Sequence, residues 1–324
     1  MSNNTTDNDP PGGAAYAAIY MVIGIPSFIL YAFVLVTLCC SYKQLKQRLN
    51  IVILSLALPD LWSLLLQLAY AVPSSVLETD FPLPKLFGWL SHYAFTLQIS
   101  HVLYIGINRY ICLRGATNLD TYDRYFCTRN IILCLVGVWA WAAVMVAVMN
   151  LGSCYSQYFR KKYYFTYVCS NQAHGDIVVP LNMALVFMVC FLIFLVYAAS
   201  WWSLRKLNGQ LTARAPAFTN SRVRFRAECN LAIQFIILAC NLILLELLFY
   251  SGPILPINQL SISMITGVLY LLFCCINPYL YLAFNSELRA IVLKTVLRCK
   301  TFIKASSTDP AISPPSTAVS QEKE

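Results

Sequence analysis

Four formally charged side chains stand inside long apolar stretches of this 324-residue sequence: Asp60, Arg109, Glu228 and Glu246. A charge in hydrocarbon costs about 2.5–3.5 kcal/mol even on insertion scales, so each must find a partner, a proton or water. Asp60 lies in Leu56-Ala57-Leu58-Pro59-Asp60. Pro59 frees a carbonyl one turn back and bends the helix. Asp60 is then either an ion- or water-binding polar site that rearranges, or a satisfied structural carboxylate. Arg109, in Asn108-Arg109-Tyr110, is either an anchor that snorkels to the surface or a switch that pairs with Glu228 on a neighbouring helix. In Asn277-Pro278-Tyr279-Leu280-Tyr281, Pro278 interrupts the backbone ladder. Asn277 offers an amide to satisfy it, and Tyr281 adds a hydroxyl one turn on. Such a polar hinge must be buried among other helices.

A second set of residues suits ligand contact. Glu246 is the lone acid in Leu244-Leu245-Glu246-Leu247-Leu248 and should face inward, towards a cationic ligand or His92. His92, Phe95 and Ile99 fall on one face of their helix, while Gln98 and His101 lie deeper and suit an internal polar network. The three histidines, His92, His101 and His174, include no i,i+4 pair. The 13 cysteines contain no paired C-x-x-C set. A metal centre of the zinc-hydrolase kind is therefore not expected, nor is any cofactor.

The elements that position these residues follow from composition. Apolar residues make up 59% of the chain and charged residues 11%, against about 25% charged in soluble domains. That excludes disorder, a disulfide scaffold and an ordinary soluble enzyme, and leaves an integral membrane protein. A span needs about 20 apolar residues. Seven such runs are present: Ala14–Cys40, Asn50–Val72, Leu86–Cys112, Asn130–Asn150, Ile177–Ser203, Ala227–Tyr250 and Gln259–Phe284. Of the 23 Lys and Arg, all but Lys85, Arg160, Lys161 and Lys162 fall on one set of connections and the C-terminal segment. The positive-inside rule then places the N-terminus outside and the C-terminus in the cytoplasm.

The chain divides into an extracellular tail (1–13), a seven-span all-α bundle (14–284), a short amphipathic eighth helix on the inner membrane surface (285–304) and a disordered cytoplasmic tail (305–324). Asn3 and Asn4 head glycosylation triplets. Cys299, on the apolar face of the eighth helix opposite Arg289, Lys294 and Arg298, is placed for palmitoylation.

Together these motifs resemble the rhodopsin-like G-protein-coupled receptors over about residues 14–300. Leu56-Ala57 with Asp60 resembles the second-helix LAxxD, and Asn108-Arg109-Tyr110 the third-helix DRY with Asn in place of the acid. Trp139 or Trp141 resembles the fourth-helix Trp, and Asn277-Pro278-Tyr279-Leu280-Tyr281 the NPxxY motif. The resemblance implies a membrane receptor, not an enzyme. An outside ligand, a small molecule or a peptide, would drive a heterotrimeric G protein through Asn108, Arg109, Tyr110, Glu228, Asn277, Pro278 and Tyr281. A seven-span transporter or ligand-gated channel is the alternative; nucleic acid is not an expected partner. The family's first-helix Asn, third-helix outer Cys and sixth-helix Trp and Pro are absent. These departures, with the Ile25-Pro26-Ser27 step, are similar to the nematode serpentine chemoreceptors. Without the third-helix Cys, Cys154 and Cys169 are the thiols of the second outer loop. They either form a bridge, which would contribute roughly 3 kcal/mol in a chain-entropy account, or stay as two thiols. The Tyr163–Tyr167 stretch between them suits a lid.

Overall fold

The computed structural model describes residues 13–40, 48–76, 83–115, 127–151, 154–159, 164–213, 219–251, 259–284 and 288–295. Its long helices are α1 (Gly13–Cys40), α2 (Arg48–Leu66), α4 (Pro84–Gly115), α5 (Thr128–Leu151), α6 (Gln172–Ala213), α7 (Thr219–Ser251) and α8 (Gln259–Phe284). A π-helical turn, Gln67–Ala71, joins α2 to a short α3, Val72–Val76, so the pair makes one pass. The wide turn has a local cause. Pro73 has no N–H and its ring crowds the preceding turn. The ladder loosens just before it, and the Val72 N–H reaches the Gln67 carbonyl five residues back.

Seven passes result, and their surface pattern is the reverse of a soluble bundle. Val22, Ile29, Leu133, Val136, Phe191 and Trp202 point outward and are exposed. Asp60, Gln67, Gln98, His101, Gln234 and Asn277 are buried. Apolar groups outside and polar groups inside is the arrangement that lipid imposes. Five of the passes (α1, α2–α3, α5, α6 and α8) are long and apolar enough to cross a membrane by length and composition. Of the other two, α7 carries a shorter apolar stretch, Ile236–Tyr250, among the described residues, and α4 buries His92, Gln98, His101 and Arg109 within the bundle. The structure is an all-α seven-transmembrane bundle.

α4 is the central helix, packed against α2, α5, α6 and α7. Gly106 brings α6 close, because a Cβ there would sit 3.1 Å from the Tyr197 ring. α6 is longer than its apolar run. Its 42 residues extend about 63 Å at the α-helical rise of about 1.5 Å per residue, roughly twice the hydrocarbon thickness. One more helical segment, α9 (288–295), follows α8. It buries Leu288 and Val292 against Val34, Leu38, Ile53 and Tyr281. Arg289 donates to the Leu282 and Ala283 carbonyls, 3.2 and 3.0 Å away, which closes the last turn of α8 with a cation.

The connection between α5 and α6 adds a β-hairpin that the helix-based reading of the sequence does not anticipate. β1 (Cys154–Phe159) pairs antiparallel with β2 (Tyr164–Cys169), with Cys154 opposite Cys169 and Ser156 opposite Tyr167. Cys154, Ser156 and Tyr158 are buried at every second position, the period of a strand with one face on a core. A disulfide joins Cys154 to Cys169 and closes the open end of the hairpin. Its sulfur rests on the first turn of α6, where a Cβ on Gly175 would lie 3.0 Å from the Cys169 Sγ.

The other support is Gly88, on the first turns of α4. A Cβ there would overlap the Ser156 carbonyl oxygen, so α4 and β1 touch backbone to backbone. Gly88→Val is expected to push the hairpin off α4 and to cost at least about 1–3 kcal/mol, the usual penalty of overpacking. Thermal unfolding of the purified protein in detergent reads that loss as a lower midpoint. A midpoint equal to wild type would mean that the hairpin is not seated on α4.

Candidate functional site

Two polar centres lie along the axis of the bundle. The deeper one is built on Asp60, which is buried on α2 one residue beyond Pro59. Its Oδ2 accepts from the Tyr31 hydroxyl on α1 and from the Asn277 Nδ2 on α8, each at 2.6 Å. Its Oδ1 accepts from the Gln98 Nε2 on α4 at 2.8 Å. The same Gln98 nitrogen is 3.4 Å from the Cys274 Sγ. One carboxylate therefore binds four helices. The Tyr31 hydroxyl is the first-helix donor in a chain that lacks the family's first-helix Asn.

Beside it, His101 links α4 to α2 and α5. The Trp139 Nε1 donates to the Ser55 Oγ at 3.1 Å, and Ser55 lies 2.8 Å from the His101 Nε2. The His101 Nδ1 is 2.7 Å from the Leu97 carbonyl, which can only accept, so Nδ1 carries the proton. Nε2 then accepts from Ser55, and a neutral imidazole satisfies the chain of bonds. Of the two tryptophans that resemble the family's fourth-helix Trp, Trp139 enters this network, whereas Trp141 is exposed.

The second centre is a cavity of about 100 Å³ bounded by α1, α4, α7, α8 and the hairpin. His92 and Phe95 line it from α4, Glu246 and Tyr250 from α7, Tyr270 from α8 and Tyr167 from β2. The walls are braced by ring contacts. His92 meets Tyr167 edge to face at 5.6 Å, and Phe95 meets Tyr270 edge to face at 5.7 Å. The Tyr167 hydroxyl accepts from the Asn182 Nδ2 on α6 at 3.0 Å, and the Tyr158 hydroxyl is 2.6 Å from the Ser75 Oγ. The hairpin thus roofs the cavity and is tied to the helices around it. Burial raises the Tyr167 phenol above its ordinary pKa, and the nearby Glu246 adds to the effect.

The expectation for Ile99 needs correction. It lies one turn deeper than Phe95 and packs in the apolar core with Val102, Leu238 and Leu242; it does not line the cavity. At the other end of α4, Asn108 and Arg109 are both buried. The Cys112 Sγ lies 3.5 Å from the Asn108 Oδ1, and the Arg109 charge acts on Tyr197 of α6. Tyr110 is half-buried. Pro278 is buried within α8, and Tyr281 is buried against Val34, Leu38 and Ile53. Glu228 is on α7, but its side chain lies outside the described residues, as do Tyr163, Asn3, Asn4 and Cys299. Among the described residues, no group of three or more His, Cys, Asp or Glu could hold a metal ion.

The sequence pattern does not single out Tyr31, Ser55 or the aromatic lining contributed by Tyr16, Tyr20, Tyr158, Tyr250 and Tyr270. Tyrosine carries no obligatory charge, so its place in a polar network is not visible as a lone ionisable group is. The signal available was position: Tyr16, Tyr20 and Tyr31 are almost fully buried on α1.

The family model of the 7 transmembrane receptor (rhodopsin family) matches residues 32–281. The chain belongs to that family. It is a multi-pass membrane receptor, and its family is one of receptors rather than enzymes. No curated protein matches the chain.

Within this architecture, Asp60→Asn replaces an acceptor of three hydrogen bonds with a side chain that turns one NH2 towards a donor. The expected cost is about 1–3 kcal/mol, the price of buried donors left unmatched. The check is the thermal midpoint of the purified variant, which should drop while the disulfide-closed hairpin stays protected from alkylation. A midpoint at or above wild type would show that Asp60 is not the common acceptor.

Proposed function

We propose that the chain is a G-protein-coupled receptor of the plasma membrane that converts binding of a small extracellular ligand into activation of a heterotrimeric G protein. The observation that carries this reading is the alignment of three sites on one helix. α4 presents His92 and Phe95 to the cavity, Gln98 to Asp60, and Asn108 and Arg109 at its other end. A ligand that prefers one position of α4 would change the hydrogen bonds of Asp60 and the surroundings of Arg109. This is how differential binding shifts a two-state bundle.

The distribution of Lys and Arg supports an outside N-terminus, hence a cavity and hairpin facing the extracellular side and Arg109 facing the cytoplasm. Asn108, Arg109, Tyr110 and Glu228, with Asn277, Pro278 and Tyr281 of the α8 hinge, would make the switch that meets the G protein. A chemosensory role fits the departures of this sequence from the common receptor motifs. A transporter or ligand-gated channel fits less well. Both Asp60 oxygens already accept from Tyr31, Gln98 and Asn277, which leaves the carboxylate closed rather than open to a pathway.

Arg109→Ala should abolish or strongly reduce ligand-driven nucleotide exchange on a promiscuous G protein while surface expression persists. Wild-type exchange in the variant would remove Arg109 from the mechanism. Ligand-driven current without exchange would favour the channel instead.

A further inference from the structure

Glu246 is 3% exposed, and it faces the cavity from α7. Among the described residues, its Oε2 has no hydrogen-bond partner. Such a group is costly to bury and is kept where something else completes it. The described residues that line the cavity include no Lys or Arg. His92 is the only other ionisable nitrogen there, and its ring is turned edge-on to Tyr167. The remaining wall is unusually rich in phenols. Tyr16, Tyr20, Tyr158, Tyr167, Tyr250 and Tyr270 all contribute, and Glu246 interacts electrostatically with Tyr167 and Tyr250.

This composition discriminates between ligand charges. An anion would meet the Glu246 carboxylate with no Lys or Arg among the described lining residues to offset it. A neutral apolar molecule would leave the carboxylate uncompensated. An ammonium group is attracted by both the carboxylate and the rings, because a cation near aromatic faces gains from the ring quadrupole, and more so when desolvated. Phe95, Phe165 and Phe249 also line the cavity and would cover an apolar or aromatic tail.

Resting on the receptor reading above, we propose that the cavity takes a small organic cation, a primary or quaternary amine, with Glu246 as its counter-ion and the tyrosine rings as its cage. Tyr250 and Tyr270, on α7 and α8, form part of that cage. Capture of the cation would therefore draw the outer parts of α7 and α8 towards the α4 wall.

The test uses the full chain, purified in detergent, with 2-phenylethylammonium, benzyltrimethylammonium and choline as probes. The neutral isosteres 2-phenylethanol, 2,2-dimethylpropylbenzene and 3,3-dimethylbutan-1-ol are run beside them. At least one ammonium probe should raise the thermal midpoint in a saturable way, and its isostere should not. Glu246→Gln should raise the half-saturating concentration at least about tenfold, in line with loss of one partner of a buried charge pair. Glu246→Asp should restore most of the affinity, and Tyr250→Phe should keep what Tyr250→Leu loses. The proposal is overturned if no ammonium probe stabilises the protein, if an isostere does so equally, or if Glu246→Gln binds as tightly as wild type. Nucleotide exchange measured in parallel separates the two readings. Charge-dependent binding without exchange contradicts the receptor reading alone, whereas exchange driven equally by an isostere contradicts the ligand class alone.

Discussion

A carboxylate in the middle of an apolar bundle must be satisfied by the protein itself, and Asp60 is satisfied by three other helices. Tyr31, Gln98 and Asn277 each give it one hydrogen bond, from α1, α4 and α8. Lipid provides no competing hydrophobic force to hold helices together, so packing and inter-helix hydrogen bonds specify which helices meet. The register of α1, α4 and α8 against α2 is thereby set at one point. Pro59 and Pro278 act in the same region. Each removes a backbone hydrogen bond within a turn of a residue that belongs to the network. The helices are most deformable where the polar bonds hold them.

The half that holds the cavity follows a different logic. In place of a bridge from the third helix to the loop, this chain closes the loop on itself with Cys154–Cys169 and seats it by contact at Gly88 and Gly175. The hairpin that results carries Tyr158 and Tyr167 into the cavity roof. Since Tyr167 also touches His92 and accepts a bond from Asn182, the roof is coupled to both α4 and α6. Through Tyr167 the roof touches the helix that carries Gln98 and Arg109.

Much of this was legible in the sequence, and the reasons are physical. Long apolar runs declare spans because lipid demands them, and lone acids such as Asp60 and Glu246 declare inward faces because their exposure to hydrocarbon is so costly. The ends of α6 and α7 were not legible, since helices that leave the membrane lose the apolar signal but not the backbone hydrogen bonds. The hairpin was missed although Cys154, Ser156 and Tyr158 alternate, because a six-residue strand is faint beside seven apolar runs. Ile99 was misplaced for a simpler reason. Helical spacing gives the face a residue occupies but not the depth at which a cavity ends.

The central claim, that Asp60 is the shared acceptor of α1, α4 and α8, is most directly tested by a double-mutant cycle on thermal stability. Tyr31→Phe and Gln98→Leu are each measured in the wild-type protein and again in Asp60→Ala. If Asp60 is what these donors serve, each should destabilise the wild type but cost little once the carboxylate is gone, with coupling of about 0.5–3 kcal/mol. Costs that are the same in both backgrounds would contradict the account.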